Sequence, residues 1–227
     1  MTFGKLLRSI IMTSIVFPGI IMLLGGSASW IEGWILSFWF VAMILSTVIY
    51  MYVKDPELLA ERRKKPGSDN QESWDKYILF IILFISVIWL VVMPLDAERF
   101  SWSPPFPRGL KIIGAIFMIL SLYFIYMSTV TNTYLSIKVR IQSERKQEVV
   151  STGVYGIVRH PLYLGYLLVM LGGPLLLGSV IGLAIGFLGT ITIAVRAVGE
   201  EKMLIQELEG YEEYMKKVKK RLVPFIW

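Results

Sequence analysis

Apolar stretches of membrane-crossing length recur along this chain, separated by short polar segments, and they constrain the fold more than any other feature. A hydrocarbon core about 30 Å thick is crossed by about 20 helical residues. Because lipid offers the backbone no hydrogen-bond partners, such runs read as helices. We place spans at residues 7–27, 32–53, 76–95, 109–131, 162–177 and 180–198. The expected fold class is an all-α integral membrane protein of about five to six transmembrane helices, the last two forming a helical hairpin. Those two are short and joined around Gly172, Gly173 and Pro174, a hairpin that need not fully cross. Composition agrees: 55% hydrophobic residues, 18% charged residues and a mean hydropathy of +0.62 are not values of a water-soluble domain. The first span follows Lys5 and Arg8 without a small-residue cleavage pattern, so it is expected to be a retained helix.

Lysine and arginine alternate between loops as the positive-inside rule requires. Residues 54–76 carry Lys54, Arg62, Arg63, Lys64, Lys65 and Lys76, and residues 132–161 carry Lys138, Arg140, Arg145, Lys146 and Arg159. The intervening Pro-rich loop has only Arg99 and Arg108, and the turns around Ser27 and Gly178 have none. A multi-pass protein with both termini cytoplasmic satisfies this pattern. Gly178, just before the last span, and Gly182, Gly186 and Gly189 within it form a small-residue stripe suited to close helix packing in lipid, within one chain or between subunits. Beyond it Leu204, Leu208, Tyr211, Met215, Val218 and Leu222 recur at spacings of three and four. They predict a C-terminal amphipathic helix with a basic end, lying on anionic lipid.

Two absences narrow the chemistry. The chain has no cysteine and one histidine, His160, so thiolate nucleophiles and iron–sulfur clusters are excluded and a zinc or di-iron site would need carboxylates almost alone. No metal is expected. The net charge of +6 fits a membrane face better than nucleic acid, for which no motif is present. The polar residues that remain fall in two segments. In TGVYGIVRHPLYLGY, residues 152–166, Pro161 suits the first turn of a helix and leaves His160 at its entrance, where unpaired N–H groups attract anions. Arg159 and His160 are placed to hold a ligand anion there, and Tyr155 and Tyr163 offer flat surfaces. Juxtamembrane anchoring explains the same residues equally well. In RAVGEEKMLIQELEGYEEY, residues 196–214, Arg196 lies one helical turn before Glu200 and can pair with it. An arginine at the end of an apolar span is a functional candidate by default, and Glu200 and Glu201 leave the membrane beside it.

The order GVYxxxRHPxYxG, apolar hairpin, RxxxEE and GYxxY followed by Val and Pro resembles the isoprenylcysteine carboxyl methyltransferase family, itself similar to the phospholipid N-methyltransferases. The resemblance covers residues 138–227. We therefore divide the chain into a four-helix membrane region, residues 1–131, and a methyltransferase region, residues 132–227. The resemblance implies a membrane enzyme that binds S-adenosyl-L-methionine at the cytoplasmic ends of its last helices, consistent with the lack of a strand-linked GxGxxG. It also implies that Tyr155, His160, Pro161 and Tyr163, beside Arg159, line the cofactor site. Glu200 would hold the cofactor's polar end, with Glu201 next to it. Gln147, Val149 and Val150 match a further cofactor-contacting stretch, with the departure that the family often has His where Gln147 stands. Arg140 falls where a more distant contact would lie. Arg196 matches the family's substrate-contacting arginine.

A carboxylate acceptor is ionised at neutral pH and needs no general base, so Arg196 as its clamp and Glu200 as the cofactor's anchor would suffice. A lipid amine would need a base, for which Glu200 or Glu201 is available. The expected partners are membrane lipids and a lipophilic or prenylated acceptor. Three readings compete: a phospholipid or lipophilic-amine N-methyltransferase, an NADPH-dependent sterol or enone reductase, and a transporter. Reductases with a similar turn have Asn and Glu where this chain has Leu162 and Tyr166. A transporter would place ionisable groups at mid-membrane, whereas the charged residues inside the first four spans as drawn, Arg8, Glu32, Lys76 and Lys111, all lie at the span ends.

Overall fold

The computed structural model describes residues 3–67, 70–224 and 226–227. Helices α1 (Phe3–Gly25), α2 (Ile31–Lys54), α4 (Ser73–Pro94), α5 (Arg108–Thr131) and α7 (Val180–Glu207) are long, and α3 (Pro56–Arg62), α6 (Pro161–Leu177) and α8 (Tyr211–Lys217) are shorter. Among the described residues five helices are long and apolar enough to cross a membrane, α4 counting with a π-helical turn, Leu95–Arg99, that continues it. Their outward faces carry exposed side chains such as Ile15 and Leu23 on α1, Phe80 and Leu83 on α4, and Phe187 and Ile191 on α7. In water such a surface would aggregate, whereas in lipid it is the solvent-facing surface.

Helix α6 is the centre of the molecule. At 17 residues it is the short apolar helix, and most of its side chains are buried by protein. It packs most extensively on α5 and then on α7. Small residues set that approach. A Cβ on Gly165 would stand 2.6 Å from Ile125 Cγ1, and one on Gly172 would stand 2.9 Å from Phe117 Cβ. The glycine stripe of α7 works within the chain: a Cβ on Gly182 would meet Met93, and one on Gly186 would meet the Met170 carbonyl. Gly178, at φ +86°, ends α6 in the left-handed conformation that favours glycine, and Ser179 then caps α7 by accepting from Gly182 N at 2.8 Å. Buried tryptophans find partners: Trp89 Nε1 donates to Met170 O and Trp39 Nε1 to Met118 O. Because α5 and α6 pack together, the regions on either side of residue 131 share one core.

Two expectations change. The last span was drawn to residue 198, but α7 continues as one helix to Glu207. The amphipathic segment beyond it is not a single helix lying on lipid. It breaks at Gly210, at φ +81°, resumes as the seven-residue α8, and leaves helical structure after Lys217. Its apolar stripe turns inward: Leu204, Leu208, Tyr211 and Val218 are buried in a cluster with Val139, and Leu222 is buried in the main core. The period of three and four was real, but the surface it covers is protein. The tail then returns to the entrance of α6, where Arg159 N donates to Lys220 O and His160 N to Arg221 O, each at 2.9 Å.

Candidate active site

At one end of the bundle, the start of α6, the end of α7 and the irregular segment between α5 and α6 enclose a polar cleft. Pro161 opens α6, and His160 precedes it with non-helical backbone angles, φ −122° and ψ 66°, as a residue before proline should. A 3₁₀ turn, Gly153–Gly156, brings in Tyr155. Gln147, Val149, Val150, Tyr155, Arg159, His160, Pro161, Tyr163 and Glu200 all line this cleft, whose free space is about 790 Å³ counted out to its mouth. Tyr134, Tyr211 and Tyr214 add three more aromatic walls.

The glutamates divide sharply. Glu201, 1% exposed, is not on the cleft wall. It accepts from Arg159 Nε at 2.6 Å, Arg159 Nη2 at 3.2 Å and Arg221 Nε at 2.7 Å, and lies 3.2 Å from His160 Nε2. Arg159 also donates to Val218 O at 2.8 Å, so it is engaged in tying the tail down. Glu200 faces the cleft. Its Oε2 accepts the Tyr163 hydroxyl at 2.6 Å and lies 3.7 Å from His160 Nδ1, while its Oε1 has no hydrogen bond among the described residues. The His160 and Tyr163 rings stack at 5.3 Å, 4° from parallel. Burial pushes the hydroxyls of Tyr155, Tyr211 and Tyr214 above their ordinary pKa of 10.0, so each is neutral at pH 7. Asn132 donates to the Tyr155 hydroxyl at 3.2 Å, and Tyr214 donates to the Tyr155 carbonyl at 2.7 Å.

Arg196 lies elsewhere, in the wall of a second cavity. This one has about 1760 Å³ of free space counted to its mouth and is lined mainly by apolar side chains of α2, α4, α6 and α7, among them Trp39, Phe40, Leu83, Trp89, Met170 and Ile193. Ser136, Leu162 and Tyr163 line both cavities, so the two adjoin at those residues. Arg196 does not bond to Glu200. Its Nε donates to Asp75 Oδ1 at 2.8 Å, and its Nη2 donates to Asp75 Oδ2 at 3.3 Å and to Ile137 O at 2.6 Å. Its guanidinium sits 5.6 Å from the centre of the Tyr163 ring. Asp75 is wholly buried and also accepts from Gln71 Nε2 and Val139 N.

Asp75 is the residue that the sequence reading passed over. It fell one residue outside a span drawn from Lys76, although an acid beside an apolar run is the signal that should have flagged it. Arg140 lines the cleft but is occupied: Nε donates to Glu61 Oε1 at 3.0 Å and Nη2 to Glu61 Oε2 at 2.8 Å, with Glu144 and Asn70 taking further N–H groups. Burial alone would raise the Glu61 carboxyl, but hydrogen bonds from Arg140, Lys64 and Ser136 outweigh it and hold the pKa at about 2. This latch fastens α3 to the segment that roofs the cleft.

No curated protein matches the chain. The stretch from α5 through the cleft motif to Arg196, Glu200 and Glu201 does have a counterpart: residues 112–206 match the model of the Isoprenylcysteine carboxyl methyltransferase (ICMT) family.

Proposed function

We propose that this protein is a membrane methyltransferase that moves a methyl group from S-adenosylmethionine to the carboxylate of a lipophilic, isoprenylcysteine-like acceptor, forming a methyl ester. The observation that carries this reading is the junction at Tyr163 of a polar, tyrosine-walled cleft with a large apolar cavity. A group-transfer enzyme with one polar and one lipophilic substrate needs two such compartments with a common wall. The family match over residues 112–206 supports the same activity.

The residues of the cleft fit the donor. Tyrosine faces favour a sulfonium or ammonium cation, and Glu200 Oε1 is free to accept from a ligand N–H or O–H. When bound there, S-adenosylmethionine supplies a methyl on a positively charged sulfur, which an ionised carboxylate takes in a single displacement without proton transfer. The protein's part is positioning and exclusion of water. Tyr163 fixes Glu200 through a hydrogen bond, and stacking on His160 fixes Tyr163. Glu201 holds Arg159 and Arg221 and so keeps the tail against the α6 entrance. The neutral tyrosines surround the site without supplying a base. Apolar walls of the second cavity accommodate an isoprenoid tail while its head stays at the polar junction.

The test is transfer of labelled methyl by purified protein to a small prenylated cysteine and, separately, to lipid amines. Label released as methanol by base on the prenylated acid is the expected result, and base-stable label on amines alone would replace ester formation by N-methylation.

A further inference from the structure

This inference rests on the methyltransferase reading and concerns what the apolar cavity recognises. Three cations line it: Arg62, Lys76 and Arg196. They are not equivalent. Arg196 is neutralised by Asp75 at 2.8 Å and holds Nε and Nη2 on protein acceptors, leaving Nη1 as its one nitrogen without a hydrogen bond among the described residues. Its contribution to a ligand is a donor of fixed direction, with little net charge. Lys76 is exposed near the start of α4, where water solvates its ammonium. Arg62, the last residue of α3, is half-buried, and its Nη1 is enclosed with no hydrogen-bond partner among the described residues. The neighbouring carboxylate, Glu61, is already taken by Arg140, Lys64 and Ser136. A half-buried guanidinium that lines an apolar cavity with no carboxylate partner among the described residues is costly, and a ligand anion in that cavity relieves the cost.

We propose that Arg62 is the specificity-determining cation of the acceptor site. The apolar cavity takes a lipophilic acid whose anionic head is drawn by Arg62 and oriented by the Asp75-held Arg196. A lipid amine would bring an ammonium to an uncompensated guanidinium, so this cavity discriminates against amines. Arg62 and Asp75 both lie outside the stretch that matches the family model, residues 112–206. The charge that selects the acid thus comes from the region that precedes the matched stretch, while Arg196, which orients the head, lies within it.

The experiment measures binding, with no turnover required. Affinities of a prenylated cysteine acid, its uncharged primary amide and a prenyl amine are measured by calorimetry on the full-length protein in detergent, together with that of S-adenosylmethionine. The wild type is expected to bind the acid at least tenfold more tightly than the amide and the amine. Arg62→Gln should remove that preference while S-adenosylmethionine affinity stays within twofold, and Arg62→Lys should retain part of it. A full preference for the acid in Arg62→Gln, or equal binding of acid and amine by the wild type, overturns the proposal. An Arg62-dependent preference for the acid without methyl transfer to it would uphold this inference and overturn the methyltransferase reading. Methyl transfer to the acid with unchanged KM in Arg62→Gln would do the reverse.

Discussion

Glu200 and Glu201 are adjacent in sequence and have separate tasks because successive helical residues point about 100° apart. Glu200 turns one carboxylate oxygen to the cleft, and Glu201 turns both of its oxygens into protein. The corresponding glutamine variants should therefore fail differently. Glu200→Gln is expected to weaken S-adenosylmethionine binding tenfold or more with an unchanged Tm. Glu201→Gln leaves two arginines short of a charged acceptor in a buried cluster, where removing one partner costs about 3–5 kcal/mol, and it should lower Tm markedly. Calorimetry and thermal unfolding on both variants check this, and a cofactor defect of equal size with equal stability would remove the distinction. The motif was readable at this scale because proline, histidine and tyrosine announce a helix entrance by type and order. The split between the two glutamates was not, since it depends on which way α7 faces in the packed bundle. The partner of Arg196 was hidden for a related reason. Asp75 lies 121 positions away, and no local spacing links them.

Helix α7 runs 28 residues, about 42 Å at 1.5 Å per residue, and outreaches a hydrocarbon core about 30 Å thick. The excess carries Glu200, Glu201 and Leu204 beyond the apolar run into the polar end, which is how one element serves both packing and chemistry. Hydropathy located where the helix enters, since Gly178 and Ser179 punctuate it. It missed the helix end because no breaker occurs until Gly210, and polarity alone does not stop a helix. Helix α3 acts by tethering. Its Glu61 holds Arg140, and through it the roof of the cleft, as a carboxylate with a pKa of about 2 against an ordinary 4.5. A carboxyl depressed on folding stabilises the native state fully above about pH 4.5 and loses that contribution as pH falls towards 2. Glu61→Gln should therefore lower Tm at pH 7, by the equivalent of roughly 3 kcal/mol for one half of a buried pair. The gap from wild type should narrow as pH drops from 4.5 towards 2. A gap of constant size would show that the latch is not titrating.

At the level of the whole molecule, both polar sites gather at one end. The bonds from α4 to α7 through Asp75 and Arg196, and from α6 to α7 through His160 and Glu201, put the start of α4, the start of α6 and the end of α7 side by side. The opposite end holds the Glu32 to Lys111 pair at 2.6 Å, the Arg99 bond to Leu23 O, and Asp96 at the start of α7. The asymmetry in basic residues follows this division, with α3, its following loop and the roof segment far richer in Lys and Arg than the far end. The positive-inside rule predicts that the end bearing the cleft faces the cytoplasm. The absence of cysteine makes this orientation directly measurable without background. Single cysteines at Lys217, exposed at the end of α8, and at Ser29, exposed between α1 and α2, report opposite ends. In sealed right-side-out cells, a membrane-impermeant maleimide should label Ser29→Cys and spare Lys217→Cys until the membrane is permeabilised. The reverse pattern would place the cleft on the outer side, away from the cytoplasmic donor, and methyl transfer from S-adenosylmethionine would then lose its physical basis.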